Sequence, residues 1–193
     1  MVRIVKKCSV LLGLCSLVIS CYSQSGVTLY AGPTFTNFDL SNNYLNPTFQ
    51  MGYRTGLDVR IGDDTFWMLF GGSYNETYFG DHTYFRNIFS DTQDKIQFAG
   101  VKFNLEKRFF PNGNIRPMIA GGVLADYLLD FGKNVTRELG TINTLTAYWN
   151  ASAGVQLQSL FVRFSYERGI KEYFEDHKNT HPARIVCTLG FFF

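Results

Sequence analysis

Eight strand-like runs follow Gln24, and the connections between them alternate short and long without exception. Those after the second, fourth and sixth runs occupy 62–65, 111–114 and 158–159. Those after the first, third, fifth and seventh are polar and cover about 39–48, 80–94, 130–143 and 172–182. A soluble sandwich has no reason to gather all its long loops at one end. A barrel threaded through a membrane does, because its outward loops are long and its inner turns short. An even strand number also brings the last strand beside the first, so no edge is left with unpaired backbone groups in lipid. The expected fold is all-β, an eight-stranded antiparallel up-and-down transmembrane barrel.

The runs carry the period of two that a half-buried strand requires. In Val27–Phe38, Val27, Leu29, Ala31 and Phe35 oppose Thr28, Tyr30, Gly32, Thr34 and Thr36. Pro33 falls inside this run and has no N–H to give to a ladder, so a bulge is expected there. Phe49–Ile61 alternates most cleanly, with Met51, Tyr53, Leu57 and Val59 against Gln50, Arg54, Asp58 and Arg60. Phe66–Phe79 begins F-W-M-L-F, apolar on both faces, and periodicity assigns it no inward side. Ile96–Phe109, Arg116–Leu129, Leu145–Gln158 and Leu160–Phe174 complete the series before the last strand. Gly62-Asp63-Asp64-Thr65 and Pro111-Asn112-Gly113-Asn114 are turn sequences with a mechanism, through Asx and glycine conformations.

The final run, Arg184–Phe193, places Ile185, Cys187, Leu189, Phe191 and Phe193 on one face. Ends of soluble chains are usually polar and frayed, whereas a lipid-facing strand has a medium for this face. Leu189, Phe191 and Phe193 are therefore expected to meet lipid.

Composition supports the same class. Aromatic residues make up 17% and charged residues only 18%, where soluble domains carry about 25% charged. Yet mean hydropathy is −0.05, and beyond residue 23 no apolar run reaches the ~18 residues a membrane helix needs. Residues 1–23 read as a signal peptide, with Arg3, Lys6 and Lys7 ahead of the apolar run Val10–Ile19, leaving 24–193 as the barrel domain. Two processing routes are open: Val18-Ile19-Ser20-Cys21 resembles a lipobox that would leave acylated Cys21, and ordinary cleavage after Ser23 would leave Gln24 first. The three basic residues leave with the signal, so 15 basic residues remain against 16 acidic ones, a charge of about −1. That balance offers no basic surface to nucleic acid. Three of the four cysteines lie at or before Cys21, so Cys187 remains without a disulfide framework.

Chemistry-bearing residues concentrate on the inward faces. Arg54, Arg60, Lys102, Arg108, Arg163 and Arg184 are set against Asp58, Glu106, Asp126 and Glu167. An eight-stranded barrel has an interior that side chains just fill, and unpaired buried charge is costly. These residues are therefore expected to pair across strands as a polar plug, with a narrow conduit as the alternative. The alternative function, a barrel hydrolase acting on lipid or peptide, would need a base and a nucleophile in reach. The histidines, His82, His177 and His181, fall in expected outer loops, while Ser152 and Ser165 point inward without a histidine on their strands. His177 and His181 with Glu175 and Asp176 make only a weak metal pattern. No catalytic, cofactor-binding or metal residue is assigned, and no cofactor is expected. Asn75-Glu76-Thr77 and Asn134-Val135-Thr136 match the glycosylation triplet, without a setting in which that modification is expected. Tyr53, Tyr78, Phe79, Phe109, Phe110, Tyr127, Tyr166, Tyr173 and Phe174 lie near strand ends as interfacial girdles would. Phe79, Tyr84, Phe85 and Phe89 in or beside a long loop are candidates for docking a protein partner.

The signal segment, the eight alternating strands and the ending Leu189-Gly190-Phe191-Phe192-Phe193 resemble small OmpX-type outer-membrane barrels of Gram-negative bacteria. The aromatic-rich strands, with G-L-D-V at 56–59 and A-G-V-K-F at 99–103, resemble the PorT-like family. The resemblance covers the whole chain beyond the signal. It implies residence in the outer membrane with both termini periplasmic, among lipid and lipopolysaccharide, after delivery by the barrel-assembly machinery, for which Leu189, Phe191 and Phe193 would be the assembly signal. It also implies a structural or interaction role, for some relatives connected to protein secretion or gliding, rather than catalysis.

Overall fold

Alternation of inward and outward side chains carries all eight runs into strands. The computed structural model describes residues 25–37, 50–79, 94–131, 143–172 and 181–193. The expected signal segment, Cys21, His82, His177, Tyr84, Phe85, Phe89, Tyr173, Phe174 and the triplet at 134–136 lie outside the described residues. The strands are β1 (Ser25–Asn37), β2 (Gln50–Gly62), β3 (Phe66–Phe79), β4 (Asp94–Arg108), β5 (Ile115–Phe131), β6 (Leu145–Leu157), β7 (Leu160–Gly169) and β8 (Ala183–Phe192). Each pairs antiparallel with its chain neighbours, and β1 pairs with β8 to close the barrel. The seam runs from Thr28 opposite Phe192 to Asn37 opposite Ala183.

The two faces differ in kind. Leu29, Leu57, Phe70, Val101, Val123, Phe164 and Leu189 are exposed on the exterior, while Thr28, Arg54, Asp58, Glu106 and Arg184 are buried inside. That is the inverse of a soluble protein, which rarely leaves a large contiguous apolar surface uncovered. In β3, Trp67 and Leu69 turn inward and are buried, and Phe66 and Phe70 turn outward. Its double-apolar sequence is thus explained by position: here the interior is filled by hydrocarbon as well as charge, from Trp67, Met118, Phe161 and Phe192.

Pro33 does not produce the expected bulge. β1 and β2 stay in one register past it, with Pro33 opposite Tyr53. On the other side the ladder pairs Ala31 with Leu189 and Thr34 with Val186, lapses across Gly32–Pro33, and resumes in the same register. A proline removes one donor, and one missing rung costs less than displacing a whole strand face. The bulge falls instead between β4 and β5, where Gln97 opposes Asp130 and Phe98 opposes Leu128, leaving Leu129 over. β7 also ends earlier than its aromatic run suggests. Gly169 N–H donates to Pro182 O at 2.8 Å, and Pro182 has no N–H to return the bond.

The short turns are locally determined. Asp63 Oδ1 accepts from Thr65 N at 2.8 Å and Phe66 N at 2.7 Å, which depresses its carboxyl pKa, the bond from Phe66 contributing most and that from Thr65 next. At the β4–β5 and β6–β7 turns, Phe110 (φ 55°) and Gln158 (φ 53°) occupy the left-handed region, an uncommon conformation for residues with a Cβ.

Candidate functional site: the charged lumen

Residues two apart on one strand point the same way, so barrel closure gathers the inward polar positions of all eight strands into one column. Near the short-turn end, Glu106 is shared by three arginines. Arg108 Nε lies 3.1 Å from it, Arg60 Nη1 3.6 Å, and Arg163 Nη2 donates to its Oε2. Aromatic rings pad the cluster. The Arg60 guanidinium stands 5.2 Å from the Phe161 ring and 5.3 Å from the Phe192 ring, and that of Arg108 is 4.6 Å from Trp67. Such cation–π placements offset part of the desolvation of an arginine.

At mid-height Asp58 faces Lys102 Nζ at 3.0 Å and Arg163 Nη1 at 3.8 Å. Lys102 also lies 4.1 Å from the centroid of the Tyr30 ring. Arg163 therefore links the lower and middle groups.

Toward the long-connection end, Arg54 engages both Glu167 oxygens, Nη1 to Oε1 and Nη2 to Oε2 at 2.7 Å, and its Nε donates to Asn75 Oδ1. Arg184 Nη1 donates to Asp126 at 2.9 Å and Glu167 at 3.2 Å, and its Nη2 donates to the buried Tyr148 hydroxyl at 3.2 Å. Nine of the ten charged residues singled out above are no more than 3% exposed, and the Lys102 side chain is 10% exposed. The ten thus line the lumen in two ion-paired groups, one running from Glu106 through Arg163 to Asp58 and Lys102, the other joining Arg54, Glu167, Arg184 and Asp126. Charge-assisted, two-point contacts of this type are the strongest hydrogen bonds a protein makes.

Leu189, Phe191 and Phe193 lie apart from this network on the exterior. Phe193 exchanges backbone bonds with Val27, donating at 2.8 Å and accepting at 3.1 Å. Ser152 and Ser165 are register partners on β6 and β7. Among the described residues no group of three His, Cys, Asp or Glu side chains is placed to hold a metal.

Periodicity missed five participants. Tyr148, Phe161 and Phe192 share the inward parity of the charges on their strands, and that parity was the available signal, whereas Trp67 and Asn75 lie on Phe66–Phe79, to which periodicity assigned no inward side. It also missed Glu76, which faces outward by parity yet is 4% exposed. Tyr74 Oη donates to it at 2.6 Å, Gln97 Nε2 at 2.9 Å, and Lys95 Nζ lies 3.5 Å away. Of the expected girdle, Phe109, Phe110, Tyr127 and Tyr166 are exposed on the exterior, and Tyr53 rests against Tyr74 and Tyr78 with centroids 6.0 and 6.5 Å apart.

No protein-family model matches this sequence, and no curated protein matches it. Solved structures resemble it in fold. The crystal structure of Neisserial surface protein A (NspA) superposes with a TM-score of 0.53 at 9% identity, covering 86% of this chain and 96% of that one. The crystal structure of the outer membrane enzyme PagL gives 0.50 at 13% identity, covering 87% and 99%. At these identities the likeness is one of architecture, a closed eight-stranded antiparallel barrel of nearly equal length.

Proposed function

We propose that this chain is an integral outer-membrane barrel whose lumen is shut by its own charge network and which acts through its long connections. The observation that carries the reading is the pairing of opposites across the two faces. Exposed Leu29, Phe70, Val101, Phe164 and Leu189 surround buried Arg54, Glu106, Asp126, Glu167 and Arg184. A hydrocarbon-facing exterior with an internally neutralised interior is the arrangement a bilayer selects. Exterior aromatics at both ends, Phe66 and Phe110 at one and Tyr127, Trp149 and Tyr166 toward the other, suit interfacial anchoring.

The short turns and both termini are assigned to the periplasm and the long connections to the cell exterior, in keeping with their lengths. Residues 1–23 are assigned to export and Leu189, Phe191 and Phe193 to recognition by the assembly machinery. Lipopolysaccharide is the expected neighbour at the outer leaflet. The finer placement among PorT-like barrels rests on G-L-D-V and A-G-V-K-F, and with it a link to protein secretion through a partner at the loops. The reading assigns the chain no enzymatic activity and no cofactor.

Fractionation with a paired capture experiment tests this. The full-length protein is expected in the outer-membrane fraction, migrating faster before boiling than after. Replacing 80–94 and 172–182 with short turns should leave that mobility shift intact and remove any protein captured by the wild type from solubilised outer membranes. A protein that fractionates as soluble, with mobility unchanged by heat, overturns the reading.

A further inference from the structure

The ion pairs balance one end of the lumen and leave the other in excess. Toward the long connections, Arg54 and Arg184 are matched by Glu167 and Asp126. Below them, Arg60, Lys102, Arg108 and Arg163 meet only Asp58 and Glu106, so four cations face two acids, a surplus of two. Asp58 is taken by Lys102 at 3.0 Å and more loosely by Arg163 at 3.8 Å. Arg163 also holds Oε2 of Glu106. Arg60 and Arg108 are left to share its other oxygen, Oε1. The surplus therefore rests on these two arginines, at the short-turn end.

Their hydrogen bonding shows the same deficit. Arg60 Nη1 lies 3.6 Å from Glu106 Oε1, beyond hydrogen-bond reach. None of the three guanidinium nitrogens of Arg60 has a hydrogen-bond partner among the described residues, nor has Arg108 Nη2 or the Trp67 indole Nε1. All three side chains are buried, so bulk water does not readily serve them. They pack around one ring: Phe192 lies 5.3 Å from the Arg60 guanidinium, 5.5 Å from that of Arg108 and 6.0 Å from Trp67. Aromatic faces offset part of a guanidinium's desolvation but carry no counter-charge.

Nothing nearby supplies that charge. The unpartnered buried acceptors at this end, Gln156 Oε1 and Thr28 Oγ1, are neutral. Asp63 and Asp64 are exposed in the β2–β3 turn, and Asp63 is committed to the N–H groups of Thr65 and Phe66. Half-buried Arg116 adds a further cation, two residues before Met118, the β5 partner of Arg108.

We infer that the short-turn end of the lumen binds a small inorganic anion, held by the free N–H groups of Arg60, Arg108 and Trp67. Arg116, the more exposed cation of this end, lies on its approach from the short turns. A water molecule would accept from the same donors but leave the surplus charge buried, which is costly; an anion does both. The inference rests on the charge-closed lumen proposed above and gives it a ligand.

The full barrel purified in detergent tests it with chloride, phosphate and bromide as probes. The thermal midpoint of the gel-mobility shift is expected to rise by about 2–4 °C in sodium chloride or sodium phosphate over sodium gluconate at equal ionic strength. Crystals grown in sodium bromide are expected to show an anomalous peak against Arg60 and Arg108. Arg60→Met removes a cation that has no carboxylate of its own, so it should lose that rise and match or exceed the wild-type midpoint in gluconate. Arg54→Met, whose charge is matched by Glu167, should instead lower the midpoint in every salt and keep the rise. Should Arg60→Met fail to fold, Trp67→Phe keeps a ring against Phe192, removes one donor and should reduce the rise. Equal wild-type midpoints in all three salts overturn the site, as does a rise unchanged by these Arg60 and Trp67 substitutions or a bromide seated at Lys102 instead. Because the mobility shift itself reports the barrel, a barrel that forms without this salt dependence refutes the anion site alone.

Discussion

Arg54 on β2 and Glu167 on β7 meet face to face across the lumen, although their strands are separated by the β1–β8 seam and the residues by 113 positions. Arg54 also donates to Asn75 on neighbouring β3 and Glu167 also accepts from Arg184 on neighbouring β8, but the two-point contact between them spans the lumen, so the pair acts as a strut across the closed barrel. Removing one partner leaves the other buried without its main counter-charge, which costs about 3–5 kcal/mol. Glu167→Gln is expected to lose about that much in reversible urea unfolding from lipid vesicles. The double variant Arg54→Met, Glu167→Met should lose far less than the sum of the singles, since Arg184 keeps Asp126 at 2.9 Å. Simple additivity in that double-mutant cycle would show the two side chains to be independent.

Glycine matters where strands approach too closely for a Cβ. A Cβ built on Gly32 collides with the Cys187 carbonyl oxygen of β8, at the closing seam and beside Pro33. At Gly72 the nearest atom is Gly100 O at 3.9 Å, and at Gly121 it is Asn150 O at 3.5 Å. Gly32→Ala is therefore expected to reduce the yield of compact, heat-shiftable barrel several-fold. Gly72→Ala and Gly121→Ala should stay within about 0.5 kcal/mol of wild type. Equal yields for all three would remove the seam from the account.

The β2–β3 turn has a pH signature. Two backbone N–H bonds to Asp63, from Phe66 and Thr65, hold its carboxyl pKa below the ordinary value. A depressed folded pKa contributes stability that is present above the unfolded value, near ~3.9, and is lost as pH falls through the folded value. The urea midpoint of wild type should thus exceed that of Asp63→Ala at pH 6, and the gap should narrow on acidification below about pH 4. A gap that widens as pH falls would reverse the sign and contradict the turn geometry.

Much of this architecture was legible before any coordinates. Alternation in Met51–Ile61 and Ala147–Leu157 declared which side chains face inward, because one face of a strand must differ from the other when the media differ. The alternation of turn lengths declared the closure. What stayed hidden depends on distances around the barrel. Parity brings Arg54, Asp126, Glu167 and Arg184 to the same interior, but only closure decides that Arg54 reaches Glu167 while Arg184 bridges it to Asp126. Phe66–Phe70 was opaque because both of its environments are apolar. Pro33 misled because a missing donor can be absorbed as a lapse in one ladder without a change of register. Glu76 was hidden because a carboxylate on an outward position is shielded by Tyr74 and Gln97, a local cover that period-two reasoning does not see.

The central claim is that the lumen is closed by ion pairs, and single-channel recording tests it most directly. Wild-type protein reconstituted in planar bilayers is expected to give no steady conductance, since the Arg54–Glu167, Arg163–Glu106 and Arg184–Asp126 contacts occupy the barrel from one end to the other. Steady, reproducible single-channel currents from the wild-type barrel would contradict it.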